Sequence, residues 1–277
     1  MIAWGVAPYQ DYYDVSMVDG ANIPVEIAPI RNTFALDGKI FLHLRNSHYT
    51  IASNPYWCGA PGCTKETCDP SFTLDRCSWN YNGGNYTHHL QMVAPRKCSV
   101  DSDCGHSACD PVSRTCKCSS ANDCVNGDVC GSTFIAGVGL ATACGQTSGW
   151  FGAGGICALN PNLGEPLNCN EAVAGQGTRT NLYQCNGANA LSCASNGAQS
   201  TCCGCPPWEP AGTCINENPQ WMKHAQPVAK IFKDACPTAY SFPYDDMSST
   251  FVCRGTNENN LNGYTITFCP SGSPDSL

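Results

Sequence analysis

The chain has 277 residues, of which 23 are cysteines and only 13% are charged, and its formal net charge is −8. This acidic balance disfavours nucleic acids and other polyanions, whose binding depends on basic side chains. The sequence has no run of about 18 apolar residues, so it contains no membrane span. The composition instead favours neutral polar partners such as polysaccharides, which Asn, Ser, Thr, Gly and aromatic side chains can contact.

The cysteine content is typical of a disulfide scaffold, and such thiols persist as bridges in an oxidising compartment. The sequence therefore predicts an extracellular, secreted protein. Because the number of cysteines is odd, one is free, bonds another chain, or has its partner outside these residues. The first eight residues have neither the basic start nor the apolar run of a signal peptide. We expect the precursor to extend upstream of Met1.

Residues 10–57 are predicted to form β-strands. Tyr13, Val15 and Met17 alternate with other side chains, and Asp19-Gly20 is a turn dipeptide that precedes an apolar run at residues 23–27. Asp37-Gly38 separates two further apolar runs in the same way. These patterns are typical of antiparallel hairpins.

Most of the cysteines, 20 of 23, lie in residues 58–214, where apolar periodicity fades. We expect disulfides rather than an apolar core to hold this region together. Residues 98–104 and 118–124 share the pattern Cys-Ser-x-x-x-Asp-Cys, a weak repeat of about 20 residues that suggests a small knotted module. The single N-glycosylation sequon begins at Asn85 and indicates a surface loop.

An amphipathic helix is predicted near the end of the chain. Val228, Ile231, Phe232 and Ala235 follow the i, i+3, i+4, i+7 spacing of a helix face, and Cys236-Pro237 marks its end. Two strands then follow, at residues 249–253 and 264–268.

Several segments, in the right order, resemble the thaumatin-like family, also called pathogenesis-related class 5. The C-terminal signature is matched by residues 235–253 and 264–270. An N-terminal motif is matched by residues 13–24, although Ala21 stands where the family usually has an aromatic. The remaining matches are cysteine motifs, Cys58-Gly-Ala-Pro-Gly-Cys63 and the pair Cys202-Cys203.

This resemblance implies an all-β fold, a thaumatin-like antiparallel β-sandwich with a disulfide-rich loop domain that carries one short helix. The sandwich would comprise residues 1–63 and 237–270, lacking its N-terminal strands. The disulfide-rich domain would comprise residues 64–236, with a cysteine-rich insertion at about 68–157. Residues 271–277 would be a tail.

The resemblance also implies a disulfide pairing. The implied bridges are Cys58–Cys253, Cys63–Cys236, Cys193–Cys202, Cys203–Cys214 and, as a looser match, Cys169–Cys185. The family partner of Cys269 would lie upstream of Met1, which leaves Cys269 unpaired in this chain. The other twelve cysteines could form six further bridges. Metal binding by clusters such as Cys116-Lys-Cys118 is the alternative, but paired C-x₂-C elements at zinc spacing are absent, and we expect no metal and no cofactor.

Members of the family have an acidic cleft, and the resemblance maps three of its aspartates to Asp14, Asp19 and Asp245. Tyr13 and Asp246 would contact the substrate, whereas the Arg and Glu of the cleft would lie upstream. Two carboxyl groups on either side of a glycosidic bond can hydrolyse it, one as acid and one as nucleophile or base. The alternative is local, since an Asp also hydrogen-bonds the backbone of its own turn.

The leading hypothesis is a monomeric, secreted protein that acts on β-1,3-glucan of cell walls, either by binding it or by slow endo-hydrolysis as a glucanase, with a defence or wall-remodelling role. The absence of the Arg and Glu leaves catalysis open. The alternative is a non-enzymatic interaction protein whose cysteine-rich insertion binds another protein.

Overall fold

The computed structural model describes residues 2–6, 10–29, 61–62, 84–175, 177–186, 218–254 and 264–268. The chain divides into two compact units. The first unit comprises residues 1–16, 24–80 and 232–277, and the second comprises residues 17–23 and 81–231. The hairpin predicted around Asp37-Gly38 lies outside the described residues.

The first unit contains two antiparallel sheets. Strands β1 (Ile2–Val6), β2 (Gln10–Tyr13) and β10 (Phe251–Arg254) form one sheet, with β2 in the centre. Strands β4 (Val25–Pro29) and β11 (Tyr264–Phe268) form the other. Both predicted C-terminal strands are therefore confirmed, whereas the predicted strand at residues 13–17 ends earlier, at Tyr13.

Aromatic packing joins the two ends of the chain in this unit. Tyr13 pairs directly with Phe251 across the sheet, and the two ring centroids are 5.9 Å apart. The ring centroid of Tyr264 lies 4.8 Å from that of Tyr13. Ile27 and Cys253 complete this buried cluster. The core therefore unites residues from β2, β4, β10 and β11, which are distant in sequence.

The second unit is organised around one long strand. Strand β7 (Gly139–Phe151) pairs with β6 (Val129–Ile135) through its first half and with β5 (Gln91–Pro95) through its second half. Its last residues pair with the short strand β3 (Gly20–Ala21). The contact between β5 and β6 is parallel, so this sheet is mixed. Strands β8 (Ala172–Val173) and β9 (Gly177–Thr178) form a separate short ribbon.

The prediction of one short helix is wrong, because the described residues contain five α-helices. Helix α4 (Gln226–Ala235) follows a π-helical turn at Trp221–Ala225, and it confirms the predicted amphipathic helix because Val228, Phe232 and Ala235 are buried. The other helices have only four to seven residues, too few to show a helical period in the sequence. They are α1 (Thr87–Leu90), α2 (Ala153–Leu159), α3 (Arg179–Gln184) and α5 (Asp246–Ser249).

The weak sequence repeat corresponds to two modules with the same disulfide connectivity. The first module has the bridges Cys98–Cys109 and Cys104–Cys116, and the second has Cys118–Cys130 and Cys124–Cys144. In each module the first cysteine bonds the third and the second bonds the fourth.

The same aspartate position also caps both modules. Asp103 accepts hydrogen bonds from the backbone N–H groups of Ser99 and Val100, and Asp123 accepts them from Ser119 and Ser120. These bonds hold the pKa of each carboxyl below its usual range. The repeated Asp therefore has a local structural role in both copies.

Disulfides form the core of this region, as the sequence predicts. Six buried cysteines make up one cluster, Cys98, Cys104, Cys116, Cys118, Cys130 and Cys144. Cys130 and Cys144 also face each other across the β6–β7 ladder, although each bonds a different partner. The base of the β6–β7 hairpin is therefore covalently tied to the preceding loop on both of its strands.

Candidate functional site

The aspartates at positions 14 and 19 have different environments. Asp14 follows β2 in the first unit and is buried, with 6% of its surface exposed. Asp19 belongs to the second unit and is exposed, and its backbone carbonyl accepts a hydrogen bond of 2.8 Å from Gly152 N–H. The Asp19 carboxylate is thus available to a ligand.

The turn after Asp19 depends on glycine. Gly20 has φ of +133°, and a Cβ atom there would lie 2.2 Å from the carbonyl oxygen of Trp150. Its N–H donates to the carbonyl of Met17 at 3.1 Å, which closes the predicted Asp19-Gly20 turn. Glycine is therefore required where this turn enters β3, and it fixes the backbone that carries Asp19.

Asp245 lies inside the first unit, where its carboxylate is 1% exposed and forms an ion pair with Lys233. Lys233 Nζ donates to Asp245 Oδ2 at 2.8 Å, and the backbone N–H of Ser241 donates to the same oxygen at 3.0 Å. The Ser248 hydroxyl donates to Oδ1. The expectation that Asp245 lines an open cleft is corrected by this geometry, because a buried and fully bonded carboxylate has no surface to offer a sugar.

Lys233 was not predicted from the sequence, although it carries the main buried charge beside Asp245. Its ammonium group also donates to the carbonyl of Ala239 at 3.0 Å and to the Ser249 hydroxyl at 2.7 Å. Burial lowers the pKa of Lys233, and the Asp245 carboxylate opposes that change. The pair ties the end of α4 to α5 and to the segment between them. No periodicity in the sequence distinguishes this lysine from a solvated one.

Tyr13 was expected to contact substrate, and this expectation is corrected because its side chain has no exposed surface. Burial raises its pKa, and the nearby Asp11 carboxylate raises it further. The adjacent Tyr12, on the opposite face of β2, is 36% exposed. Neighbouring side chains of a strand lie on opposite faces, so Tyr13 belongs to the core whereas Tyr12, one residue earlier, is accessible to solvent. The side chain of Asp246 lies outside the described residues.

The looser disulfide assignment, Cys169–Cys185, is wrong because Cys169 bonds Cys157. Cys157 lies within α2, which packs beside α3. The Cα atoms of Cys157 and Cys169 are 5.4 Å apart. Cys185 and Cys253 are disulfide-bonded. The implied partner of Cys253, Cys58, lies outside the described residues, as do Cys63, Cys193, Cys202, Cys203, Cys214 and Cys269.

One hydrogen-bonded contact bears on the predicted Cys63–Cys236 bridge. The Thr238 hydroxyl accepts a bond from the Gly62 N–H and donates one to the Gly62 carbonyl, each at 2.9 Å. Gly62 is adjacent to Cys63, and Thr238 lies two residues after the buried Cys236. The backbone segments that carry the two cysteines therefore meet in the first unit.

Two groups of three sulfur atoms lie within 4.8 Å of one another, Cys98, Cys104 and Cys109, and Cys118, Cys124 and Cys144. All six belong to disulfides, in which the sulfur lacks the thiolate that binds metal. The proximity results from the crossing of two bridges in each module. Asn85, the predicted glycosylation site, is exposed in a 3₁₀ turn at Gly84–Tyr86.

The described part of the second unit also contains a hollow that the sequence did not indicate. It has a volume of about 370 Å³ and is open to solvent. We call it the amide hollow, and its lining consists of Asn162, Leu163, Gly164, Asn168, Asn170 and Glu171. Asparagines are common in surface loops, so their convergence here is visible only in the structure.

Comparison with known proteins shows which family part of the chain matches. Residues 157–270 match the thaumatin family. A pathogenesis-related thaumatin-like protein 3.5 of Cryptomeria japonica is 41% identical over 85 residues, 29% of this chain and 32% of that protein. Thaumatin-like protein 1b of Malus domestica is 32% identical over 114 residues, 41% of this chain and 43% of that protein.

A third relative carries an enzyme name. A glucan endo-1,3-beta-glucosidase of Prunus avium is 38% identical over 79 residues, 28% of this chain and 26% of that protein. The first three relatives are matched over only 15% to 32% of their own length. Over part of its length the chain is therefore similar to thaumatin-like proteins, and the described residues have a β-rich, disulfide-rich fold. Among the described residues, no helix is long and apolar enough to cross a membrane.

Proposed function

We propose that the protein is secreted and binds β-1,3-glucan of cell walls, and that Asp19 of the second unit contacts the sugar. The observation that carries the proposal is the exposed Asp19 carboxylate on a turn held by Gly20, in a chain similar to a protein named glucan endo-1,3-beta-glucosidase. The five disulfides among the described residues support an oxidising, extracellular location. A thaumatin-like sandwich of the first unit and a defence role belong to the same proposal.

Each residue has a role within its own unit. In the second unit, Asp19 accepts hydrogen bonds from sugar hydroxyls. In the first unit, the exposed ring of Tyr12 stacks on the apolar face of a glucose unit. Asp14 and Asp245 are buried in the first unit, where Asp245 supports the fold through its ion pair with Lys233. Slow hydrolysis requires a second carboxyl group within about 5 to 9.5 Å of the first across the scissile bond.

The experiment is a laminarin binding assay together with reducing-sugar release. Asp19→Asn and Tyr12→Ala should each weaken laminarin binding by about tenfold, which corresponds to the loss of one good polar or stacking contact. Asp234→Asn, which removes a carboxylate from an exposed helix position, is the charge-matched control. Unchanged binding and unchanged sugar release in folded Asp19→Asn and Tyr12→Ala proteins would contradict the roles proposed for Asp19 and Tyr12.

A second candidate function is supported by the tip of the β6–β7 hairpin. Residues 134–140 read Phe-Ile-Ala-Gly-Val-Gly-Leu, and Phe134 and Val138 are 61% and 46% exposed. A Cβ atom added at Gly137 or Gly139 would meet no atom within 4 Å, so the tip stands clear of the rest of the described unit. An exposed apolar tip on a disulfide-tied hairpin fits an interaction protein that binds an apolar pocket of a protein partner.

Two variants separate the candidate functions. Phe134→Ser should abolish capture of a protein partner from the native extracellular fluid while leaving laminarin binding unchanged. Asp19→Asn should have the opposite effect. Retention of the same partner by Phe134→Ser would contradict a role for the hairpin tip.

A further inference from the structure

The amide hollow lies on the loop between α2 and β8, and this loop is rigidly constructed. The Cys157–Cys169 disulfide closes it, and the N–H of Cys169 donates to the Leu163 carbonyl at 2.9 Å. The N–H of Asn168 donates to the Gly164 carbonyl at 2.8 Å. The hollow therefore has its shape before any ligand arrives, which reduces the ordering entropy lost on binding.

A buried tyrosine holds the underside of the same loop. Tyr183 Oη donates a 2.8 Å hydrogen bond to the Leu167 carbonyl, and burial raises its pKa to about 12. The hydroxyl thus remains a donor at any physiological pH. This bond connects α3 to the loop residue that precedes Asn168.

The amide groups of the hollow retain unused hydrogen-bonding capacity. Asn170 Nδ2 donates to Asn162 Oδ1 at 2.8 Å, and Asn168 Nδ2 donates to Glu165 Oε1. Each Asn side chain has two N–H donors and an oxygen that can accept twice. Among the described residues, the side-chain Nδ2 of Asn162 and the side-chain Oδ1 atoms of Asn168 and Asn170 have no hydrogen bond. The hollow therefore offers both donors and acceptors in fixed positions.

The charge of the hollow favours a neutral ligand. Among the described residues that line it, Glu171 is the only ionisable one, and it forms an ion pair with the buried Arg179. Neither a cation nor an anion would find an uncompensated opposite charge on this lining. Saccharide hydroxyls both donate and accept, so they match paired amides, and Leu163 offers apolar surface to the C–H groups of a sugar ring.

We propose that the amide hollow is a saccharide-binding subsite that holds a neutral glucose unit of the wall polysaccharide, a role that rests on the proposed carbohydrate function. Its volume lies within the range of about 300 to 1,000 Å³ that is common for small-molecule sites. It is built only from residues of the second unit and uses none of Asp14, Asp19 or Asp245.

The first experiment observes the hollow directly. In the full chain labelled with ¹⁵N, titration with laminaribiose should shift the side-chain NH₂ resonances of Asn162, Asn168 and Asn170. The same shifts should occur in the Asp19→Asn protein, because that residue is not part of the hollow. The subsite would be overturned if these shifts were absent up to millimolar laminaribiose. It would also be overturned if calcium chloride produced the shifts and laminaribiose did not.

The second experiment measures affinity. Asn162→Leu/Asn170→Leu replaces two amides by apolar groups of similar size and should weaken laminarin binding by about tenfold. Asn122→Leu, at an exposed position in the second disulfide module, is the matched control. Full affinity in the double variant together with lost affinity in Asp19→Asn would overturn the subsite and support the proposed site. The reverse pattern would support the subsite and contradict the site at Asp19.

Discussion

Lys233 Nζ lies 2.8 Å from Asp245 Oδ2, and both side chains are almost completely buried in the first unit. Each of the two charges has further hydrogen-bond partners, which are the Ala239 carbonyl and the Ser249 hydroxyl for Lys233 and the Ser241 N–H for Asp245. A buried ion pair costs desolvation free energy and is tolerated when its remaining donors and acceptors are satisfied, as they are here. The ion pair therefore fixes the position of the segment between α4 and β10.

Removal of one partner should therefore be more damaging than removal of both. Asp245→Asn or Lys233→Met should each lower the free energy of unfolding by about 3 to 5 kcal/mol, because the other charge stays buried without its counter-charge. Lys233→Met/Asp245→Asn should cost less than the sum of the two single changes. Urea unfolding of the four proteins measures this coupling, and Lys230→Met on the exposed side of α4 is the control. Additive single and double losses would mean that the pair contributes no coupling.

Two half-buried histidines should make the second unit sensitive to acid. Burial lowers the pKa of His89 and of His224 from the ordinary value of 6.5, with further lowering by His88 and by Arg179, respectively. Between 6.5 and the lower folded pKa, the unfolded chain binds more protons than the folded one. Stability should therefore be fully present above pH 6.5 and be lost as the pH falls below it.

The His89→Gln and His224→Gln variants should lose less stability than the wild type between pH 7 and pH 5. Thermal unfolding at a series of pH values measures the difference, and His106→Gln, at an exposed position, provides the control. Identical pH profiles for all four proteins would show that neither half-buried imidazole contributes to acid sensitivity.

The Cys157–Cys169 bridge can be identified by peptide mapping. Cleavage of the unreduced protein after Glu171 and Arg179 separates Cys169 from Cys185, but it leaves Cys157 and Cys169 in one peptide. We expect the peptide that contains Cys169 to show no disulfide link to the peptide that contains Cys185. A linked pair would restore the assignment that resemblance to the family implies.

Local patterns in the sequence account for part of the fold. Helix α4 was predicted because Val228, Phe232 and Ala235 share one face, and the closing strands were predicted from their β-rich composition. The module repeat was visible in residues 98–104 and 118–124. The disulfide connectivity within each module was not visible in the sequence, because four cysteines allow three pairings and only the folded backbone selects one.

The candidate site was less predictable, because it depends on burial and on contacts between distant residues. A motif places Asp245 in the family pattern, but only the structure gives it Lys233 as a partner. The alternation around Tyr13 marks two faces of a strand without indicating which face is buried, so the sequence alone did not show that Tyr13 lies in the core and Tyr12 at the surface. The amide hollow requires that six residues from a ten-residue stretch converge, which no periodic pattern encodes.

The turn that carries Asp19 provides the final prediction. Gly20→Ala would place a Cβ atom 2.2 Å from the Trp150 carbonyl oxygen and 2.9 Å from Phe151 Cα, at a φ of +133° that L-residues rarely adopt. The β3–β7 pairing would have to separate, so the free energy of unfolding should fall by at least about 1 kcal/mol. Gly164→Ala is the control, because its Cβ atom would meet nothing within 4 Å.

The same substitution tests whether this backbone positions Asp19 for its ligand. In the fraction of Gly20→Ala protein that remains folded, laminarin binding should fall to the level of Asp19→Asn, because a displaced turn moves the carboxylate. Combining Gly20→Ala with Asp19→Asn should then produce little further loss of binding. Urea unfolding and laminarin affinity, measured on the single and double variants, give both quantities. Full laminarin affinity in a destabilised Gly20→Ala protein would show that the turn supports only the fold, and that Asp19 does not depend on it to bind glucan.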